Sequence, residues 1–310
     1  MARGGLRLSA PAVDGDDVYW LEGRPAEQGR QVLVRWRAGR LAEVAPAGVS
    51  VRTRVHEYGG GAYAVRDGAV CYSNFADGRV YRDDGGGAKA LTVPGPWHYA
   101  DLVLDAPRGR LLAVREDRSC GGQAAVNTLV GVPLDGHGVV EVLAAGEDFY
   151  AWPRLSPDGA RVCWLSWRHP RMPWDGTDLW VADLARGGGI GRARRVAGGE
   201  SESIYQPGWT PDGALVFASD RTGWWALYEW HGGEPAAVLR EAPPDTEFGR
   251  PAWIFGTATW APAGEGRLVV AATRAGRWRL SSSPVNGWPP RRRTWCSWPE
   301  PTMRRSGSSA

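Results

Sequence analysis

One feature of this 310-residue sequence limits its possible folds more than any other: a turn recurs about every fifty residues, each time just ahead of a short apolar run. The turns are Asp14-Gly15, Asp67-Gly68, Arg108-Gly109, Asp158-Gly159, Asp212-Gly213 and Ala263-Gly264, at intervals of 41 to 54 residues. Glycine suits such positions because tight hairpins need positive φ, which it adopts at little cost. The runs that follow are Val18–Leu21, Ala69–Tyr72, Leu111–Val114, Val162–Leu165, Leu215–Ala218 and Leu268–Ala271. A second run trails each, at Val32–Val34, Val80-Tyr81, Leu129–Val132, Leu179–Val181, Leu227–Trp230 and, weakly, Trp278–Leu280. Short third strands follow at Ala42–Val44, Ala90–Thr92, Val140–Val142, Arg195-Val196 and Val238-Leu239, and the strand ahead of each turn is the innermost one. A unit of this length holding four strands is one propeller blade. Its strands read as nearly continuous apolar runs because both faces of a blade pack on neighbours. No stretch of twelve residues keeps a helical period free of Gly and Pro. The expectation is an all-β propeller of four-stranded blades over residues 5–280. Six repeats are visible, in an incomplete ring of six to eight blades.

Composition narrows the function. Hydrophobic residues at 43% and charged ones at 23% describe a folded soluble chain, and 18 Trp need broad sheet faces or a lined pocket. Lys89 is the sole lysine, which points to Arg-rich codon usage more than to a need for guanidinium groups. The net charge of +3 comes from the last thirty residues; the body is near neutral, so no nucleic-acid footprint is expected. Neither an N-terminal apolar leader nor a membrane-length run occurs, so no membrane partner is expected and the expected location is the cytoplasm. Cys71 and Cys163 sit inside strand runs and read as buried reduced thiols; no CxxC pair suggests zinc, and no cofactor is expected. From Ser281 the pattern stops: residues 281–310 hold seven Ser, five Pro, five Arg and three Trp. That composition favours a shifted reading frame over a natural disordered tail.

Several segments together resemble the propeller domain of prolyl oligopeptidase family serine peptidases, in the acylaminoacyl-peptidase and dipeptidyl-aminopeptidase branch. They are Arg52–Gly61 (RTRVHEYGGG), Tyr72–Asp77 (YSNFAD), Trp164–Trp167 with His169-Pro170 and Met172–Thr177, Ser219–Trp225 (SDRTGWW) and Glu247–Pro251 (EFGRP), and the likeness covers roughly residues 5 to 280. The resemblance implies a propeller capping an α/β-hydrolase domain that carries a Ser-Asp-His triad. The propeller filters substrates by size, and in some relatives its acidic side chains hold the substrate amino terminus. No Gly-x-Ser-x-Gly elbow occurs; Gly199–Ser203 is the nearest approach and lacks the second Gly. The chain is therefore expected to be a non-catalytic, substrate-gating propeller from a truncated gene, with a peptide substrate or a separate hydrolase domain as partner. The alternatives are a free-standing propeller that binds a protein or peptide and, more weakly, a metal-dependent propeller hydrolase.

The candidate gating or docking residues fall in three places. Arg54, His56, Glu57 and Tyr58 precede three glycines and form either a polar loop facing the pore, with Glu57 receiving a substrate amine, or a structural corner closed by an Arg54–Glu57 ion pair. Trp174 and Asp175, with Trp167, His169 and Met172, form a long insertion that could line the entry, dock the hydrolase or pack on the next blade. Arg221 and Trp224, beside Asp220 and Trp225, read mainly as a turn brace and an interblade filler. A central calcium would draw on Glu57, Asp101, Asn127 and Glu202, which come from different repeats.

Overall fold

In the computed structural model, residues 5–120, 124–233, 236–240, 242–264 and 266–284 are described. Six antiparallel blades follow one another in a ring, a six-bladed propeller. Blade 1 is β1 (Arg7–Asp14), β2 (Asp17–Arg24), β3 (Arg30–Arg37) and β4 (Arg40–Glu43); blade 2 is β5 (Tyr63–Arg66), β6 (Ala69–Ser73), β7 (Val80–Asp83) and β8 (Lys89–Ala90). Blade 3 is β9 (Trp97–Asp105), β10 (Arg110–Asp117), β11 (Val126–Pro133) and β12 (Glu141–Ala144). Blade 4 is β13 (Phe149–Leu155), β14 (Arg161–Trp167), β15 (Asp178–Asp183) and β16 (Arg194–Gly198); blade 5 is β17 (Ile204–Trp209), β18 (Leu215–Ser219), β19 (Ala226–Trp230) and β20 (Ala237–Arg240).

Blade 6 departs from this plan. Both β21 (Thr246–Glu247) and β22 (Trp260–Pro262) pair with one side of β23 (Arg267–Arg274), and β24 (Arg277–Pro284) pairs with the other. The repeating turn glycines have the positive φ expected of them, for example 77° at Gly68 and 90° at Gly213. The outer strand of blade 6 continues to Pro284; the tail expected from Ser281 onward lies, from residue 285, outside the described residues. No helix among the described residues is long and apolar enough to cross a membrane.

The blades are joined near the axis by a device that the turn pattern does not reveal. The inner strands of blades 1, 3, 4 and 5 each carry a β-bulge whose central residue is left-handed without being glycine: Ala10, Asp101, Trp152 and Gln206, with φ of 49–54°. Such residues cost about 1 kcal/mol or more unless neighbouring structure fixes them. Here each one reaches the next blade. The Ala10 carbonyl accepts from the Tyr63 hydroxyl, and the Asp101 carboxylate accepts from the Trp152 N–H at 2.6 Å and from Arg154 at 2.9 Å. The Trp152 ring meets Tyr205 edge-on at 5.3 Å. Gln206 accepts from the amides of Thr259 and Trp260 and donates to the Trp260 carbonyl at 2.7 Å.

Apolar burial follows the same order. One cluster runs through blades 3 to 6, a second joins blades 2 and 3, and a third joins blades 1 and 2; among the described residues none joins blade 6 to blade 1. Cys71 and Cys163 lie buried as free thiols in the second and first of these clusters.

Candidate functional site

The segment between β4 and β5 runs as a strap across one end of the axis. Its glycines let it do so. Gly60, at φ 101°, lies so close to blade 6 that a Cβ would sit 2.3 Å from the Phe255 carbonyl oxygen; at Gly61 it would sit 2.7 Å from the Asp101 Cα. A parallel bridge between Gly60 and Phe255, with the Phe255 N–H donating to the Gly59 carbonyl at 2.9 Å, ties the blade 1–2 connection to the segment between β21 and β22 of blade 6. His56 and Glu57 are also left-handed, at φ 53° and 67°.

Beside the strap opens a cavity of about 660 Å³, lined by residues from five segments of chain. His56 forms its inner wall, with ring contacts to Phe255 at 4.8 Å, Phe149 at 5.1 Å and Trp167 at 5.5 Å. Phe149 and Trp167 stack on each other at 5.3 Å. Farther out, Trp253 meets Trp174 at 4.4 Å and Tyr58 at 5.4 Å, and Met172 and Ile254 complete an exposed apolar rim. A mostly apolar concavity with a few placed polar groups is what small organic ligands select.

The polar groups are ordered. Buried Glu116 accepts from the His56 backbone N–H at 2.9 Å and from Arg118 at 2.7 Å, and Arg118 also pairs with Glu57. The Arg118 guanidinium holds the Glu57 carboxyl below the usual carboxylate range. Burial pushes the His56 imidazole from 6.5 down to about 4, which the neighbouring Asn127 amide only partly offsets, so His56 is neutral at physiological pH. Asn127 in turn donates to the Asp148 carbonyl at 2.8 Å. The Asp148 carboxylate, at the cavity edge, accepts from the His169 N–H at 2.9 Å; it forms no ion pair within 4.0 Å among the described residues, although its charge is felt by nearby Arg168.

The structure thus brings together His56, Glu57, Tyr58 and Trp174 and leaves out the other four candidates. Arg54 stacks with Arg52 on the Phe75 ring and does not pair with Glu57; the ion pair considered from sequence is replaced by Arg118. Asp175 caps its own loop by accepting from the Met172 N–H. Arg221 pairs with Glu202 at 2.8 Å over the Tyr228 ring, and half-buried Trp224 lies away from the cavity. The four calcium candidates do not converge, because Glu57, Asp101, Asn127 and Glu202 are each engaged by separate partners. No group of three His, Cys, Asp or Glu suited to a metal ion occurs among the described residues. Among those residues, too, no serine hydroxyl is hydrogen-bonded to a histidine. Phe149, Trp253, Phe255, Arg118 and Asp148 were not singled out from sequence. Only Trp253 and Phe255 carried a signal, an aromatic run directly after the Glu247–Pro251 motif.

The fold is that of the propeller domain of prolyl oligopeptidase-family peptidases. The likeness to particular proteins is closer. Over 91% of its length the chain matches the crystal structure of a puromycin hydrolase, with 36% identity and a TM-score of 0.83. It matches a Mycobacterium tuberculosis puromycin-hydrolyzing peptidase equally widely, with 38% identity and a TM-score of 0.82. In both cases it spans 45% of the relative's length, the propeller part. A prolyl endopeptidase structure, at 13% identity and a TM-score of 0.66, shares the fold. No family model and no curated protein matches the chain.

Proposed function

We propose that this chain is the substrate-receiving propeller of a serine-peptidase-type hydrolase and contributes binding and access without supplying the reacting groups. The observation that carries the reading is the aromatic cavity beside the strap, with the exposed carboxylate of Asp148 at its edge. An aromatic wall takes up an apolar side chain, while an exposed carboxylate held in no contact ion pair attracts an amine. Two of the relatives are a puromycin hydrolase and a puromycin-hydrolyzing peptidase, and a mutant puromycin hydrolase has been solved in complex with PGG. Buried reduced Cys71 and Cys163 fit a reducing compartment such as the cytoplasm.

The test is to incubate the purified chain with chromogenic aminoacyl and acyl-peptide amides, alone and with a serine-directed covalent inhibitor. The expected result is no inhibitor-sensitive turnover; hydrolysis that the inhibitor abolishes contradicts the reading. A second reading, a free-standing module that binds a protein or peptide, draws on the exposed rim of Tyr58, Met172, Trp253 and Ile254. Stable co-purification with a partner that lacks hydrolase activity favours it.

A further inference from the structure

The strap carries two arginines that the cavity wall does not use. Its residues alternate: Val51, Thr53 and Val55 are at most 4% exposed, and Arg52 and Arg54 between them face outward. Backbone bonds zip this stretch to the turn after β6, from the Arg52 N–H to the Ser73 carbonyl at 3.1 Å and from the Phe75 N–H to the Ser50 carbonyl at 3.0 Å. Half-buried Phe75 is thereby held within reach of both side chains, and the Arg52 and Arg54 guanidinium carbons lie 4.8 and 4.7 Å from its ring centroid. Stacking on a ring fixes a guanidinium without using its N–H donors. Neither arginine takes part in an ion pair among the described residues.

These donors adjoin the mouth. The Glu57 N–H donates to the Arg54 carbonyl at 2.8 Å, so Arg54 and the cavity-lining Glu57 stand at the two ends of one tight turn. The Glu57 carboxylate feels the Arg54 charge although its contact partner is Arg118. Three guanidiniums, of Arg52, Arg54 and Arg118, here face two carboxylates, of Glu57 and Glu116, which leaves an excess of one positive charge. Burial lowers the nearby His98 imidazole, which adds no charge at neutral pH. On the blade 4 side of the cavity the balance reverses, because Glu147 and Asp148 stand against Arg168 alone. Arg171, which also lines the cavity, is paired with Glu200. The mouth is positive beside the strap, negative beside β13 and aromatic between.

We propose that Arg52 and Arg54 receive the terminal carboxylate of a short peptide whose body lies in the aromatic cavity, so that the mouth favours zwitterionic peptides over capped ones. This rests on the reading of the mouth as substrate-receiving and adds the charge pattern of the ligand to it. A guanidinium presents paired donors that match a carboxylate, and one already held on a ring loses little freedom on binding. A free peptide terminus is the fitting source of that carboxylate, because Asp148 offers itself to an amine and a short peptide carries both charges.

Titration calorimetry of the full chain with Phe-Gly-Gly and with its C-terminal amide tests the proposal. The wild-type chain is expected to bind the free acid about tenfold more tightly than the amide. Arg52→Gln/Arg54→Gln should abolish that preference while leaving affinity for the amide unchanged, which also reports that the variant is folded. Arg186→Gln, at an exposed arginine elsewhere, should keep it. As a measurement that needs no variant, raising salt from about 50 mM to about 500 mM should narrow the preference in the wild-type chain. Equal affinity of the wild-type chain for acid and amide overturns the proposal, as does a preference that survives the double substitution. Either result leaves the proposed function standing if the amide binds and Trp253→Ala weakens it. Absence of binding by both peptides overturns the two readings together.

Discussion

The seams between consecutive blades are filled by buried apolar faces, whereas the outward face of blade 1 mixes exposed apolar residues with an ion-pair network of Glu22, Arg24, Glu27, Arg30 and Glu43. The consecutive seams are sealed by buried apolar residues and, where the inner strands bulge, by left-handed residues that reach across to the next blade. The remaining seam, between blade 6 and blade 1, has the strap contact at the axis and exposed Leu, Val and Trp side chains beyond it. Alternating apolar residues therefore specify a blade face without specifying that it is covered. The axial polar links add directional bonds that apolar contact alone cannot supply.

The largest effect should come from removing such a link. Asp101→Ala leaves the Trp152 amide and Arg154 without their buried acceptor and should cost about 4 kcal/mol in urea unfolding; a loss below about 1 kcal/mol would show that the bulge links do not hold the sealed seams. Next comes a contrast within blade 1. Leu33→Ala, on the sealed face, should cost about 3 kcal/mol. Equal costs for Leu33→Ala and Leu41→Ala would erase the distinction between the two faces.

The strap should respond to pH. His56 in the unfolded chain takes up a proton near 6.5, and in the folded chain only near 4. Between those values the unfolded state binds more protons, so stability is lost as pH falls through the window. Acidification from about pH 7 to about pH 5 should cost about 2 kcal/mol through this group, and His56→Met should remove that increment from the pH dependence of unfolding. The smallest effect is expected on the open seam, where Leu41→Ala or Leu280→Ser should change stability by no more than about 0.5 kcal/mol while reducing self-association during concentration.

How much of this could be read from the sequence follows from the range of each interaction. The blades were legible because turn glycines and apolar runs are local: Leu111–Val114 lies in β10 and Leu215–Ala218 in β18, as the repeat required. The bulges were not, since Asp101 and Gln206 owe their backbone conformation to partners about fifty residues away and carry no glycine. At the mouth, the strap motif drew attention to His56, Glu57 and Tyr58, and the long loop drew it to Trp174. The walls they complete come from Phe149, Trp253 and Phe255, distant in sequence, and Glu57 finds Arg118, 61 positions on, in place of nearby Arg54. Arg221 and Trp224 lie on the same kind of motif string, yet Arg221 pairs with Glu202 over Tyr228 and Trp224 lies away from the cavity.

Calorimetric titration of the full chain with PGG, beside a Trp253→Ala/Asp148→Asn variant, most directly tests whether the strapped mouth receives substrate. Saturable one-to-one binding that the double variant loses is the predicted result. Heat indistinguishable from dilution, or binding unchanged in the variant, would contradict it.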